Sequence, residues 1–210
     1  RENVGGIEIA NYAKHEFKGP GACDFLDYIL AGRIPNPGRI NLSPMLTSKG
    51  KLYGDLTVAC IKDEYFILFG SGLMQEAHRR WFENKLPEKG VTYLNRSDDY
   101  HGVAISGPKS RELLNQITRD DVSQESFKFR DIRMTYVGDV PAIIIRMSFS
   151  GELGYEIYCK PHYLVKLAES IEEAGEGLGF CWYGSRALLS MRLEKQWGVW
   201  TLDFRPDFTA

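Results

Sequence analysis

The stretch Ser148-Phe-Ser-Gly-Glu-Leu-Gly-Tyr-Glu-Ile-Tyr158 sets a carboxylate inside a segment that otherwise reads as a buried strand. From Gly154 onward Tyr155, Ile157 and Cys159 alternate with Glu156 and Tyr158. A period of two, rich in aromatic and β-branched residues, is the pattern of a strand. The Ser-Gly-Glu-Leu-Gly run before it supplies turn chemistry. A carboxylate in such a strand has to be solvated, paired or holding something, because an isolated buried charge is too costly.

Working outward, Ile132–Val137 and Pro141–Ser148 read as strands joined by the hairpin signal Gly138-Asp139. Upstream lie a strand His101–Ser106, the turn Gly107-Pro108 and a helix Ser110–Ile117; downstream, Pro161 opens a helix Tyr163–Ala174. The same order occurs earlier in the chain. A strand over 7–18 leads through Gly19-Pro20 into a helix Ala22–Leu30, then come strands Asn41–Leu46, Lys51–Ile61 and Tyr65–Gly70 and a helix Leu73–Leu86. The Gly-Pro turns are 88 residues apart, and Tyr65–Gly70 and Gly154–Cys159 are 89 apart. A near-constant offset at two landmarks indicates an internal duplication. The expected fold is α+β with two ferredoxin-like (split βαβ) halves. The halves are expected over 1–98, carrying Asp55, and 99–184, carrying Glu156, followed by a helical segment 185–210.

The 210 residues suffice for one sizeable core or two small units. A net charge of −2 leaves no electrostatic footprint for nucleic acid or a polybasic membrane patch. No run approaches the roughly 18 apolar residues of a membrane span. Cys23, Cys60, Cys159 and Cys181 are widely spread and read as reduced, mostly buried thiols of an intracellular protein. The expected location is the cytoplasm, or the mitochondrial matrix in a eukaryote. Arg1 in place of an initiator Met and an uncapped end at Ala210 suggest a segment of a longer protein.

The duplication gives a way to weigh the acids. With the halves aligned, Glu156 should fall at Ile67 or Leu68, and Asp55 at Ile143 or Ile144, so that each acid interrupts an apolar position of the repeat. Within Leu52–Ile61, Leu56, Val58 and Cys60 alternate with Asp55, Thr57 and Ala59. Asp55 also reads as a solvated acid at a strand start, and Glu156 as one half of an ion pair with an arginine. The two could instead hold a polar heterocycle, since a carboxylate offers a planar pair of acceptors to amidine-like edges, or position a proton. His15, His78, His101 and His162 show no ligand spacing, so no metal site is expected. Trp197, Trp200 and Phe204 form an apolar cluster, expected to pack against a part of the protein beyond this chain.

Four motifs occur in order: Phe17-Lys-Gly-Pro-Gly-Ala22; Ser43-Pro-Met-Leu-Thr47 running through Gly50 to Asp55-Leu-Thr-Val58; Ser148 to Glu156; and Met191-Arg-Leu-Glu-Lys195. Together they resemble the folate-binding aminomethyltransferase family, typified by the glycine-cleavage T-protein. The nearest branch by resemblance is the folate region of dimethylglycine and sarcosine dehydrogenases, through Arg192–Trp200 and Pro206–Thr209. The resemblance implies a tetrahydrofolate site. An aspartate at Asp55 would govern the folate nitrogen that receives the one-carbon unit, and Glu156 would hold the pterin by its amino edge. Thr57 would neighbour Asp55, and Phe149 would stand where a tyrosine is common. Gly54-Asp55 replaces the Asp-Asp of many T-proteins.

The implied reaction collects an iminium made by oxidative demethylation of an N-methyl amine such as dimethylglycine or sarcosine, giving 5,10-methylenetetrahydrofolate. FAD would belong to a parent domain absent from this chain, and a C-terminal barrel would follow it. The alternatives are a stand-alone T-protein-like aminomethyltransferase and a non-catalytic folate-binding accessory protein. A dimethylsulfoniopropionate demethylase is disfavoured by the Arg192–Trp200 element.

Overall fold

A computed structural model describes residues 1–200 and 202–204. The Pro206–Thr209 motif lies outside the described residues. The chain divides into two compact units, Arg1–Ala10 with Asp98–Trp197, and Asn11–Ser97 with the chain from Gly198 onward.

In the second of these, β2 (Ala13–Lys18) runs into α1 (Ala22–Ile29), followed by β3 (Arg39–Leu46), β4 (Leu52–Lys62), β5 (Tyr65–Gly70), α2 (Gln75–Glu83) and β6 (Thr92–Asn95). The sheet order is β3-β4-β5-β2-β6, with every neighbouring pair antiparallel. The alternation expected in the fourth strand is present. Leu56, Val58 and Cys60 join Phe17, Phe66 and Leu68 against Phe25, Leu26 and Ile29 of α1 and Phe82 of α2. Asp55 and Thr57 occupy the face opposite α1 and α2, in line with the side-chain period of a strand.

The other unit begins with β1 (Gly5–Glu8) and continues with β7 (His101–Ser106), α3 (Ser110–Ile117), β8 (Ile132–Val137), β9 (Val140–Ile145), β10 (Gly154–Cys159), α4 (Leu164–Gly175), β11 (Cys181–Trp182) and α5 (Ser185–Glu194). Its order, β8-β9-β10-β7-β1-β11, repeats the first four strands of the other sheet. Tyr155, Ile157 and Cys159 join Val103, Ile105, Ala142 and Ile144 beneath Leu113 and Leu114 of α3 and Leu167 and Ile171 of α4. All six residues of β10 are buried.

The structure departs from the expected strand over 7–18. That segment splits, because Gly5–Glu8 pairs with β7 while Ala13–Lys18 pairs with β5, so the chain changes sheets between them. Trp200 also departs from expectation: it is buried within the described chain, its ring 5.4 Å from that of His78 and 6.4 Å from that of Tyr53. Two cysteines, Cys23 and Cys181, are exposed rather than buried. No described helix is long and apolar enough to cross a membrane.

The Gly138-Asp139 hairpin forms as expected between Val137 and Val140, with Gly138 at φ 58°. A Cβ there would sit 3.0 Å from Ser170 Oγ. Gly138→Ala is expected to destabilise by roughly 1–2 kcal/mol, the cost of a left-handed non-glycine residue, read as a lowered urea midpoint.

Candidate functional site

The register sharpens the repeat comparison. Gly19 (φ 120°) and Gly107 (φ 131°) make the same turn, which aligns Phe17 with Ile105. Phe17 pairs with Phe66 and Ile105 with Tyr155, so Glu156 stands where the other sheet has Ile67, as expected. The Asp55 comparison is corrected. Ile67 pairs with Ala59 and Glu156 with Ile145, and four residues back along each strand Asp55 matches Pro141, which is exposed, rather than Ile143 or Ile144. The reason is an insertion. Seven residues lie between Ala59 and Ile67, and ten between Ile145 and Glu156. The extra length forms the loop 146–153 that leads into Glu156.

That loop is braced at both ends. Gly107 N–H and Ser110 Oγ–H donate to Leu153 O at 2.8 and 3.0 Å. Lys195 Nζ donates to Ser148 O at 2.9 Å, and Arg1 bridges Glu152 and Glu194 at 2.6 and 2.5 Å. Gly151 takes φ 87° beside the Lys195 stem, an approach a side chain would crowd. The Met191–Lys195 motif thus has a physical task at this site: its last two residues hold the loop. Phe149 lies within the loop, half-buried.

Glu156 is 8% exposed, on the face of β10 opposite α3 and α4. It is flanked by the uncharged Ala104 on β7 and Ile145 on β9. Tyr158, two residues along the same face and fully buried, donates its hydroxyl to Glu156 Oε2 at 2.7 Å. Tyr183, after β11, lies within electrostatic reach: its phenol pKa is raised mainly by burial, with the Glu156 charge adding to the rise. Of the two tyrosines, the two-residue period already placed Tyr158 beside Glu156. Tyr183 carried no sequence signal, because only the pairing of β11 with β1 brings it to this sheet.

Asp55 sits at a corner of its own sheet, paired with Pro44 of β3 and two residues beyond Thr57, the last residue of β4 paired with β5. Burial raises its carboxyl above the usual aspartate range, opposed by its own backbone N–H. Thr57 follows on the same face, between Leu42 of β3 and Phe69 of β5. The glycine before Asp55 has a steric cause: a Cβ at Gly54 would lie 2.7 Å from His78 Nε2, which donates to Tyr53 O at 3.2 Å. A second acid at that position would need the histidine to move.

Asp55 and Thr57 therefore share one strand face in one unit, and Glu156 and Phe149 belong to the other. Two surface grooves, one lined by Glu172, Glu176 and Trp182 and the other by Arg119, Tyr136 and Asp139, contain none of these residues. Among the described residues no cluster of three or more His, Cys, Asp or Glu could hold a metal ion.

Comparison with known proteins bears on the whole chain. The model of the GCVT N-terminal domain family matches residues 1–210. Mitochondrial dimethylglycine dehydrogenase of Mus musculus is 34% identical over 210 residues, covering 98% of this chain and 24% of that protein. An aminomethyltransferase of Halothermothrix orenii is 27% identical over 197 residues, 93% of this chain and 54% of that protein. The chain thus spans about a quarter to a half of the length of these relatives. The crystal structure of glycine cleavage system aminomethyltransferase T from Bartonella henselae superposes with a TM-score of 0.88 at 22% identity, over all of this chain and 55% of that one, and shows the same fold. The duplicated α+β architecture and the family match agree: this chain belongs to the GCVT N-terminal domain family.

Proposed function

We propose that the chain is the folate-binding part of an enzyme that transfers an aminomethyl or iminium carbon to tetrahydrofolate. Glu156 carries the reading: a nearly buried carboxylate on the sheet face opposite α3 and α4, held by a tyrosine hydroxyl at the end of a braced, inserted loop. Its oxygens suit an N–H-rich heterocycle edge such as that of a pterin. When bound, tetrahydrofolate supplies the nitrogen that accepts the one-carbon unit. Asp55, kept partly out of water, serves as the base or positioning carboxylate for that nitrogen, with Thr57 beside it and Phe149 as an apolar wall.

The names of the relatives support a finer reading. In it the carbon arises from oxidative demethylation of dimethylglycine or sarcosine in an FAD-containing domain of the parent protein, and the product is 5,10-methylenetetrahydrofolate. The same parent would carry a C-terminal barrel and, in a eukaryote, reside in the mitochondrial matrix.

Titrating tetrahydrofolate into full-length wild-type and Glu156→Gln proteins tests the site. The variant is expected to bind roughly 10- to 100-fold more weakly, the loss of charge-assisted hydrogen bonds. Equal affinities would remove Glu156 from the site.

A further inference from the structure

The two repeats differ at two positions together. By the register above, Glu156 and Tyr158 of β10 correspond to Ile67 and Phe69 of β5. All four are buried. Where the carboxylate is absent the hydroxyl is absent too, while the aromatic ring is kept. Packing at this position is therefore met by a phenyl ring, and the hydroxyl has a separate task. A buried phenol must find a partner for its O–H, and here the partner is Glu156 Oε2 at 2.7 Å.

The second unit contains another buried carboxylate that accepts from a tyrosine. Glu16, 2% exposed, also accepts from a tyrosine, Tyr65, at 2.9 Å, but it is also ion-paired with Lys18 at 3.0 Å and Arg96 at 3.8 Å.

We propose that Tyr158 is a positioning residue for folate recognition: its hydroxyl locks the rotamer of Glu156 and presents the carboxylate pre-oriented to the ligand. The inference rests on the reading that Glu156 holds the pterin. Pre-orientation strengthens binding because the ordering cost is met before the ligand arrives.

The test is a double-mutant cycle on the full-length protein, with tetrahydrofolate affinity measured by calorimetry for wild type, Tyr158→Phe, Glu156→Gln and the double variant. Phenylalanine is the residue the other repeat already carries, so the substitution keeps the packing. Tyr158→Phe is expected to weaken binding about tenfold when Glu156 is present and less than twofold in the Glu156→Gln background. An unchanged affinity in Tyr158→Phe overturns the inference. So does an equal loss in both backgrounds, which is what a purely structural tyrosine would give. If Glu156→Gln alone binds like wild type, the pterin reading falls and this inference falls with it. A loss in Glu156→Gln with none in Tyr158→Phe overturns the inference alone.

Discussion

Asp55→Asn in the full-length protein is expected to lower one-carbon transfer by about 10²–10⁴-fold while tetrahydrofolate affinity changes only a few-fold. The substitution keeps the shape of the side chain and removes its charge and proton affinity. The size of the effect follows from where the carboxylate sits. On the face of β4 opposite α1 and α2, burial raises its pKa above the ordinary aspartate value. A base becomes more useful as its pKa approaches the working pH, because it can then take up a proton without being protonated beforehand. The pH profile gives an independent reading. In wild type the acid limb of turnover lies above the ordinary aspartate range, since protonated Asp55 cannot act as base; in Asp55→Asn that limb disappears. Single-turnover kinetics across pH 4–8 separates the outcomes. Wild-type turnover in the variant would sink the catalytic role. A large loss of affinity with turnover preserved at saturation would make Asp55 a binding residue instead.

How far these sites could be read from the chain depends on how local their causes are. The strands Tyr65–Gly70, His101–Ser106, Ile132–Val137 and Gly154–Cys159 have the bounds the side-chain pattern predicts, because alternation and turn residues act over a few positions. The doubling of the fold was legible from two turns at a fixed offset. What escaped depends on pairing across long separations. β6 (Thr92–Asn95) is short, with no buried residue to mark it, and β11 is two residues held by β1. The mismatch of Asp55 with Pro141 rather than an isoleucine follows from a difference in loop length that a constant offset hides. The resemblance singled out Met191–Lys195 without giving those residues a task; their contacts with the loop 148–152 supply one. Among the site residues, Glu156 was the most legible, since an acid in an apolar alternation is conspicuous wherever the strand ends up. Gly54 was the least, because its cause, His78, is a side chain 24 positions away.

The second large effect concerns stability in acid. His15 and His78 lie fully buried on the helix side of the second unit's sheet, their rings 6.4 Å apart. His15 packs at 5.0 Å against Phe82, and its Nδ1 is 2.8 Å from the Tyr93 hydroxyl. Burial first, and then the neighbouring His78, lower the His15 pKa from 6.5 to about 3. The His78 pKa is lowered as well, mainly by burial. Both imidazoles are therefore neutral in the folded chain at a pH where the unfolded chain protonates them. The unfolded state binds more protons throughout that window, so stability is complete above pH 6.5 and falls as pH drops toward 3. For His15 alone the loss integrates to about 5 kcal/mol, of the order of the whole stability of a small domain. Asp55 works in the opposite direction over a narrower range, because its raised folded pKa makes the folded state the better proton binder just above pH 3.8. Urea midpoints measured from pH 7 to pH 3.5 are expected to fall steeply for wild type. His15→Gln, which can keep a hydrogen bond to Tyr93 and cannot titrate, should start lower at pH 7 yet lose less on acidification, and the two curves should converge. Parallel curves would mean that His15 does not govern the acid limb and that its burial is relieved in solution.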